Sequence, residues 1–432
     1  MNLNDFQEES AAGRQPLNPR WSFLTLVLLL SPMVGRAQTV MPLGGSDPYA
    51  IVDTSSTSMW WGNGFTMPTV ETLRDRFWFQ LDYLRWKTEG SDVPALVTTS
   101  PNGTSASDAG VLGEPGTSIL FGSGELNDSS TNGARWRSGW WCRNGQFGFE
   151  SEFFRLSGEN VAYGVSSDGS RILARPYFDA LVGQESSRLV SFPGNVEGSI
   201  GVTAQSKLRS ALLNGRASLI PVNKFCEDPC NPADRVDWIL GYRYLDLQDS
   251  ITFSENRNSL LSNSPETSVL SESFESRNEL QALQLGVIYR ANFRRAYLES
   301  LMRVAVGNNR QQIRIRGNTT ITDLSGTNQY NGGLLAQRSN IGEYKRKRFV
   351  MVPELGLNLG VRLTRCLHAT LGYSVLYFPN VARASDQIDT DVNSNLIPPE
   401  ANPFSGPLRP QFSFAESSYW AHGVNLGVEL GF

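Results

Sequence analysis

Apolar and polar residues alternate along much of the chain. From Phe349 to Leu363 every odd position is apolar, while the even positions include Glu354, Asn358 and Arg362. A period of two indicates a β-strand with one apolar face and one polar face. Ordinary strands have about 5 to 6 residues, so this stretch is long for a soluble sheet and suited to crossing a bilayer.

The same alternation recurs and predicts ten strands, with twelve as the alternative count. Their approximate ranges are 76–87, 134–142, 147–153, 199–217, 236–244, 274–290, 298–306, 349–363, 369–377 and 420–432. The fold class is therefore all-β, and the pattern favours a transmembrane, antiparallel, up-and-down β-barrel. In lipid every backbone N–H and C=O must be paired within the protein, which strands achieve only in a closed barrel.

The connections between these strands differ in length. The predicted long ones are 88–133, 157–198, 254–272, 316–346 and 379–416, and the predicted short ones are 143–145, 218–234, 291–295 and 364–366. Asn144-Gly145 is the sharpest turn signal, because type I′ hairpins need positive φ at both central residues. Long loops on one side and tight turns on the other are typical of a bacterial outer-membrane barrel.

The N-terminus predicts export. Arg14 and Arg20 precede a ten-residue apolar run, and Gly35 and Ala37 provide the small residues of a cleavage site. The run is too short for a membrane-spanning helix, which needs about 20 residues. We expect a signal peptide over 1–37, a flexible periplasmic segment over 38–75 and an outer-membrane β-barrel over 76–432.

Aromatic residues near the strand ends fit the two interfacial girdles of such a barrel. They are Trp86, Trp140, Trp141, Tyr377, Tyr419 and Trp420. A soluble core could use the same residues, so we base the interpretation on the whole set together with the predicted signal peptide.

Composition excludes several classes of function. The formal charge is −4, which gives no basic field of the kind that draws nucleic acid. General acid–base chemistry favours a histidine with a partner, and the chain has only His368 and His422. We therefore predict no catalytic residues, no cofactor and no metal site. Outer-membrane lipid is an expected partner.

The four cysteines are expected to lie on the short-turn side. In an exported protein, cysteines more often form disulfides than zinc sites. A local bridge between Cys226 and Cys230 is the preferred interpretation, and whether Cys142 meets Cys366 depends on geometry that the sequence does not give.

Several sequence blocks carry a family resemblance. They are "DVPALVTTSP", "GVLGEPGTSILFG", "FGFESEFF", "ILGYRYLDLQDSI", "VPELGLNLGV" and "LGYSVLYFPNVARASDQID". In this order, from about residue 76 to the C-terminus, the chain resembles the putative beta-barrel porin 7 family. The resemblance implies a bacterial outer-membrane β-barrel and brings no catalytic residues with it.

Charged residues on the polar strand faces are the candidates for lining the lumen. They are Glu150, Glu152, Asp237, Arg243, Glu299, Arg303, Glu354, Asn358 and Arg362. In a wide lumen such residues line a water-filled channel, and in a narrow one they pair and plug it. Ten strands are closer to the filled barrels of about eight strands than to porins of 16 to 18.

Two functions therefore stay open. The first is a small-bore porin for passive passage of small solutes. The second is a closed structural or surface-interaction barrel whose extracellular loops bind a partner that the sequence does not identify. The long loops are also able to fold inward and block the mouth. The run "KRKR" at 345–348 suits anionic lipid head groups, or equally a solvated surface.

The C-terminal stretch "NLGVELGF" resembles the assembly signal of outer-membrane barrels. Its elements are Asn425, Gly427, Leu430 and Phe432. We expect the barrel-assembly machinery to be a partner during biogenesis, and we expect the last strand to pair with the first and close the barrel. An unpaired edge would leave backbone groups open.

Overall fold

The computed structural model describes residues 77–126, 129–142, 145–158, 160–219, 234–364 and 366–431. The predicted signal peptide and the segment 38–75 lie outside these residues, as do Asn144, Cys226, Cys230 and Phe432. No helix in the described part of the chain is long and apolar enough to cross a membrane.

The described residues form seventeen strands and two short 3₁₀ helices, Ser385–Gln387 and Ser394–Leu396. The strands are β1 Phe77–Thr88, β2 Ser91–Thr99, β3 Ser118–Leu126, β4 Ser130–Trp141, β5 Phe147–Leu156, β6 Asn160–Ser167, β7 Leu173–Asp179, β8 Gln184–Ser191, β9 Val196–Ser218, β10 Arg235–Ser259, β11 Thr267–Asn292, β12 Ala296–Asp323, β13 Gly326–Asn331, β14 Gly342–Arg362, β15 Leu367–Val381, β16 Asp391–Val392 and β17 Ser417–Gly431.

Ten of these strands close into an antiparallel barrel, which confirms the predicted fold and strand number. The order around the barrel is β1, β4, β5, β9, β10, β11, β12, β14, β15 and β17, and β17 returns to β1. β6 pairs with β9, and β13 pairs with β12, both outside this ring. The expected seam between the last strand and the first is therefore present.

The strands are staggered around the barrel. From Leu84 on β1, directly paired residues can be followed around the barrel in either direction until they reach β14. The route through β4 ends at Arg346, and the route through β17 ends at Asn358. The two ends lie twelve residues apart along β14. A stagger of this kind requires the strands to tilt against the barrel axis.

The apolar face changes side partway along the long strands. On β10, Trp238, Leu240 and Tyr242 point outward and are about half exposed, whereas Ile251 and Phe253, which have the opposite parity, point inward and are buried. The outward residues form an apolar belt that suits lipid. Above the belt the outer face is polar and the inner face is apolar, so the same strand leaves the bilayer and continues as a water-facing wall.

This change of the apolar face from the outer to the inner side corrects the bounds of two predicted loops. Residues 254–259 and 267–272 belong to β10 and β11, and 316–323 belong to β12. The three strands have 25, 26 and 28 residues. Alternation within the belt predicted only their membrane halves, because the apolar residues of the upper halves occupy the other parity.

The connections have the predicted asymmetry. On the side that we assign as extracellular, the connections 89–129, 157–195, 324–341 and 382–416 contain further structure, whereas the opposite side has turns such as 293–295. Strands β2, β3, β7, β8 and β16, all from these long connections, form a second sheet, which we call the cap.

The prediction that six aromatic residues form the interfacial girdles is wrong for three of them. Trp140, Tyr377 and Trp420 lie on the outward face, but Trp86 and Tyr419 point inward and are buried. Trp141 also points inward, where its ring contacts the guanidinium groups of Arg235 and Arg216 at 3.4 and 4.9 Å. The inward orientation of Trp86 was predictable from the sequence, because Trp86 has the same parity along β1 as the polar residues Gln80 and Asp82.

Candidate functional site in the barrel lumen

The half of the lumen near the short turns is filled by ion pairs, which we call the charged level. Its pairs join seven arginines with seven carboxylates: Arg135, Arg137, Arg216, Arg235, Arg243, Arg290 and Arg303 with Asp82, Glu150, Glu152, Asp237, Glu299, Glu354 and Glu429. The two signs balance, so this set favours neither anions nor cations.

Arg303 is the centre of the charged level. Its Nη2 lies 2.6 Å from Glu152 Oε1 and 2.6 Å from Glu354 Oε1. Arg243 approaches the other oxygen of Glu354 at 2.6 Å. All four side chains are at most 3% exposed. Ions this deeply buried need partners, since desolvation of an unpaired charge costs several kcal/mol.

The other sequence candidates lie on the same inner surface. Glu150 and Asp237 share Arg216, at 2.6 and 2.7 Å, and Glu299 joins Arg290 at 2.5 Å. Asn358 is buried at an inward position of β14, and Arg362 is half-buried at the end of that strand. The predicted set therefore comes together inside the barrel, and its fully buried charged members form ion pairs around the lumen.

Above the charged level an apolar layer crosses the lumen. Every barrel strand except β4 contributes to it: Leu84, Trp86, Phe154, Leu156, Leu208, Leu245, Leu247, Leu280, Ala282, Ala305, Val350, Val352, Leu376, Phe378, Val381, Tyr419 and Ala421. Trp86 packs at 5.5 Å from the ring of Phe154 and donates its indole N–H to Asn425 Oδ1 at 2.7 Å. The layer separates the charged level from the extracellular half.

The cap fills the lumen above this layer. Val97 of β2 and Val190 of β8 are buried in one apolar cluster with the inward residues Ile251, Phe274 and Ile313 of the barrel wall. The burial of this apolar surface fixes the cap in the mouth. The expectation that long loops fold inward is thus met by three of them.

Buried ion pairs also tie the cap to the wall. Arg175 of β7 lies 2.6 Å from Glu272 and 3.3 Å from Glu255, and Arg188 of β8 lies 2.8 Å from Glu255. Burial alone would raise the pKa of Glu255, but Arg188 and Arg175 outweigh it and hold the pKa of this carboxyl below its usual range. Arg383, in the connection after β15, pairs with Asp249 of β10.

The seam contains the C-terminal residues singled out in the sequence. Asn425 accepts from Trp86 and donates to Ser374 Oγ at 2.8 Å, so it joins β17 to both neighbours. A Cβ on Gly427 would lie 2.1 Å from Asp82 Oδ1 and 2.4 Å from Leu81 O. Leu430 pairs with Phe79 across the seam. Glycine is thus required where the charged level meets the seam.

The histidines and the described cysteines lie in the wall or at turns. His368 Nδ1 is 3.8 Å from Glu429, and His422 faces outward against Tyr373 and the ring of Trp420. Cys142 and Cys366 are unbridged, one half-buried and the other exposed. The pairing of Cys226 with Cys230 falls outside the described residues and stays a prediction.

Sequence reasoning missed the apolar layer and the arginine partners. The layer lies where the apolar residues change parity, which is a signal that the sequence carries. Arg137, Arg216 and Arg290 sit at inward positions of β4, β9 and β11, yet their carboxylate partners lie up to 162 positions away. Such pairings depend on barrel closure.

Solved structures of low similarity accompany the family match. A TodX deltaS2S3 mutant monoaromatic hydrocarbon channel is 9% identical, with 84% of this chain and 92% of that chain covered and a TM-score of 0.20. The P. putida toluene transporter TodX is 10% identical, with coverage of 83% and 90% and a TM-score of 0.16. A bacterial polysaccharide outer membrane secretin is 8% identical, with coverage of 83% and 99% and a TM-score of 0.15. These likenesses carry no argument about function. No curated protein matches the chain.

The family model described as Putative beta barrel porin-7 (BBP7) matches residues 78–432. This range includes the cap and all ten barrel strands except the first residue of β1, Phe77. It agrees with the resemblance carried by the sequence blocks and with the closed barrel and its outward apolar belt. The chain belongs to the Putative beta barrel porin-7 family and is an outer-membrane β-barrel.

Proposed function

We propose that the protein is a small-bore porin for small solutes and that its described state is the closed one. The observation that carries this proposal is the layered lumen, in which a polar half is separated from the extracellular side by an apolar layer and a cap. Buried ion pairs add little net stability, because desolvation offsets their attraction. The charged level is therefore suited to take up water and polar solutes once the layer and the cap move apart.

The balanced charges bear on selectivity. Seven arginines face seven carboxylates in the ion pairs, so an opened lumen would discriminate by size more than by sign. Ten strands leave a narrow bore compared with porins of 16 to 18 strands. Small uncharged or zwitterionic solutes are the class that we expect to pass.

A closed structural barrel is the second candidate, and one specific observation favours it. The apolar layer is continuous around nine of the ten strands, and its largest side chains, Trp86, Tyr419, Phe154 and Phe378, are at most 1% exposed. In this case the lumen serves only to hold the wall together, and the function resides on the surface.

Conductance of the reconstituted full chain separates the two candidates. We expect brief small steps from the native protein in a planar bilayer and longer openings from Trp86→Ala, which removes the largest side chain of the layer. Trp136→Ala is the matched control, because Trp136 is 49% exposed on the outer face. It should behave like the native protein.

Uptake of a small sugar into liposomes provides a second measurement on the same proteins. Native protein that is silent in both assays, under conditions where Trp86→Ala conducts, would reject the porin and support the closed barrel. The conducting variant shows in that case that insertion had succeeded.

A further inference from the structure

The outer wall directly above the apolar belt carries two rows of charged side chains. The lower row consists of the cross-strand neighbours Arg155, Arg209, Asp246, Glu279, Arg310 and Lys347. The upper row consists of Lys207, Gln248, Arg277, Gln312 and Lys345. Both rows share the parity of the lipid-facing Leu213, Tyr242, Leu283 and Met351, so they point away from the lumen. We call them the cationic rows.

The charges in these rows do not balance. Seven cations stand with two carboxylates, although the whole chain has a formal charge of −4. One of the seven, Lys345, pairs with Glu343 just above the rows. Both carboxylates are already engaged: Asp246 lies 2.5 Å from Arg209 and 3.0 Å from Arg277, and Glu279 lies 2.8 Å from Arg277. A surplus of positive charge is thus placed at the height where the outer leaflet ends.

Arg310 and Lys347 are the clearest part of this surplus. They stand directly opposite each other on β12 and β14, both exposed, and neither has an ion pair within the described residues. Like charges directly opposite in a sheet are destabilising. An anion placed between them would remove the repulsion, and a phosphate has the charge and the acceptor oxygens to do so.

A cavity with a mixed polar and apolar lining opens higher on the same wall. Its volume is about 590 Å³, and its lining includes Ser271, Ser273, Arg316, Asn318, Asn331 and Arg338. Arg316 stands six residues beyond Arg310 on β12, which corresponds to about 20 Å at 3.3 Å per residue. Arg316 and Arg338 already pair with Glu275 and Glu400, each at 3.1 Å. The hydroxyl and amide groups of the lining suit the neutral hydroxyls of a saccharide.

We propose that this wall binds the phosphorylated saccharide headgroup of an outer-leaflet glycolipid. The acyl chains would lie on the apolar belt, a phosphate between Arg310 and Lys347, and the sugars along the wall up to the cavity. A glycerophospholipid has a phosphate but is too short to reach from the cationic rows to the cavity. The site is on the outer surface and does not depend on solute passage through the lumen.

Binding to the purified full chain in detergent micelles tests this proposal. The probes are rough lipopolysaccharide, the same lipid after phosphatase treatment, and phosphatidylglycerol, measured by native mass spectrometry or thermophoresis. Each cation near a charged lipid surface contributes about 1 kcal/mol. We therefore expect R310Q/K347Q to bind rough lipopolysaccharide at least tenfold more weakly than the native protein.

Arg85→Gln is the matched control, since Arg85 is an exposed outward cation on β1, outside the cationic rows. It should leave the affinity unchanged, and phosphatase treatment should weaken binding to the native protein but hardly affect R310Q/K347Q. Asn318→Leu tests the cavity, and it should weaken binding of rough lipopolysaccharide more than binding of lipid A without core sugars.

Two results would overturn the proposal. Equal affinity of R310Q/K347Q and native protein for rough lipopolysaccharide would show that the cationic rows are only solvated. Phosphatidylglycerol binding as tightly as the glycolipid would show a general anionic-lipid surface without saccharide recognition. A heat-dependent gel shift of every variant establishes that the barrel is intact in each measurement.

Discussion

Arg303 illustrates how single residues hold the lumen together. It bridges carboxylates from β5 and β14, and Arg243 extends the same group to β10. The charged level thus acts across the barrel, because the pairs Arg303–Glu152 and Arg243–Glu354 join strands that are not neighbours in the sheet. The arginines and carboxylates hold each other in the lumen because each compensates the charge of the other. Any one of them without its partner would carry the full cost of burying an unpaired charge.

Replacing Arg303 by methionine should strongly destabilise the barrel. Glu152 would lose its partner, and Glu354 would keep only Arg243. Removing one member of a buried ion group typically costs about 3–5 kcal/mol, so we expect a loss of this size in the free energy of unfolding of the refolded protein in urea. R303M/E152M, which removes both charges, should recover much of it.

The outward neighbour Met302 supplies the comparison. Met302 is 54% exposed on the lipid-facing side, and Met302→Leu should change the free energy of unfolding by less than 1.5 kcal/mol, as volume-conserving apolar substitutions usually do. If Arg303→Met were as mild as Met302→Leu, the buried carboxylates Glu152 and Glu354 would not depend on Arg303 for charge compensation.

At the level of elements, the cap is held by apolar packing and by carboxylates of the upper wall. The described parts of β2, β7 and β8 pack on inward residues above the belt. Glu255 and Glu272 receive the arginines of the cap. Such an element is able to loosen without breaking the barrel, because the backbone hydrogen bonds of the ten-stranded ring run between other strands.

Acid should loosen the cap through Glu255. Its pKa in the folded state is held below the usual value of 4.5, so its contribution is complete above about that pH and is lost as the pH falls through the lower folded-state value. Hydrogen exchange of β2 and β7 should therefore accelerate in the native protein as the pH falls below about 4.5, after correction for the intrinsic rate.

The variant Glu255→Gln isolates this group. Loss of the buried charge, at about 3 kcal/mol, should lower protection of the cap about a hundredfold at pH 7 and flatten its pH dependence. Burial raises the pKa of Asp386, so acid affects stability through Asp386 in the opposite direction. The contribution of Glu255 is therefore measured as the difference between the pH profiles of the native protein and the variant. Glu275→Gln, on the outer face of β11, should match the native protein; an unchanged pH profile in Glu255→Gln would reject this role.

At the scale of the molecule, closure depends on one seam. β17 pairs with β1 along eleven residues from Trp78 to Thr88 and with β15 on its other side. Every other pair of neighbouring barrel strands consists of successive barrel strands in chain order. Only the pair of β17 and β1 joins the last barrel strand to the first. The C-terminal strand is therefore the element whose placement completes the hydrogen-bonding of the wall.

Deletion of Phe432 should impair insertion while leaving export intact. The motif Asn425, Gly427, Leu430 and Phe432 resembles the assembly signal of outer-membrane barrels, and its described members line the seam. Cell fractionation should show less protein in the outer membrane and more in the periplasm than for the native chain. Phe432→Tyr retains an aromatic side chain at this position and should behave normally; normal outer-membrane levels after the deletion would refute the prediction.

Much of this molecule was predictable from local pattern. Period-two alternation located the membrane halves of all ten strands, and loop length assigned the two sides. The prediction failed for Trp86 and Tyr419, which were expected in a girdle and lie in the apolar layer. It also failed for the upper parts of β10, β11 and β12, where the apolar parity reverses. The first error reflects residue type, since aromatic residues suit a girdle and a lumen equally, and the second reflects a parity that reverses within one strand.

The sequence by itself determined the barrel, because a side chain's parity on a strand fixes whether it faces lipid or lumen, and that information is local. Only the tertiary structure decided what the lumen contains. Arg137 and Glu299 are 162 positions apart, and Trp86 and Asn425 are 339 apart. Such pairs exist only after closure brings distant strands around one axis. The cap is likewise decided by tertiary structure, since polar loops become a lumen-filling sheet only when the apolar upper wall is present to receive them.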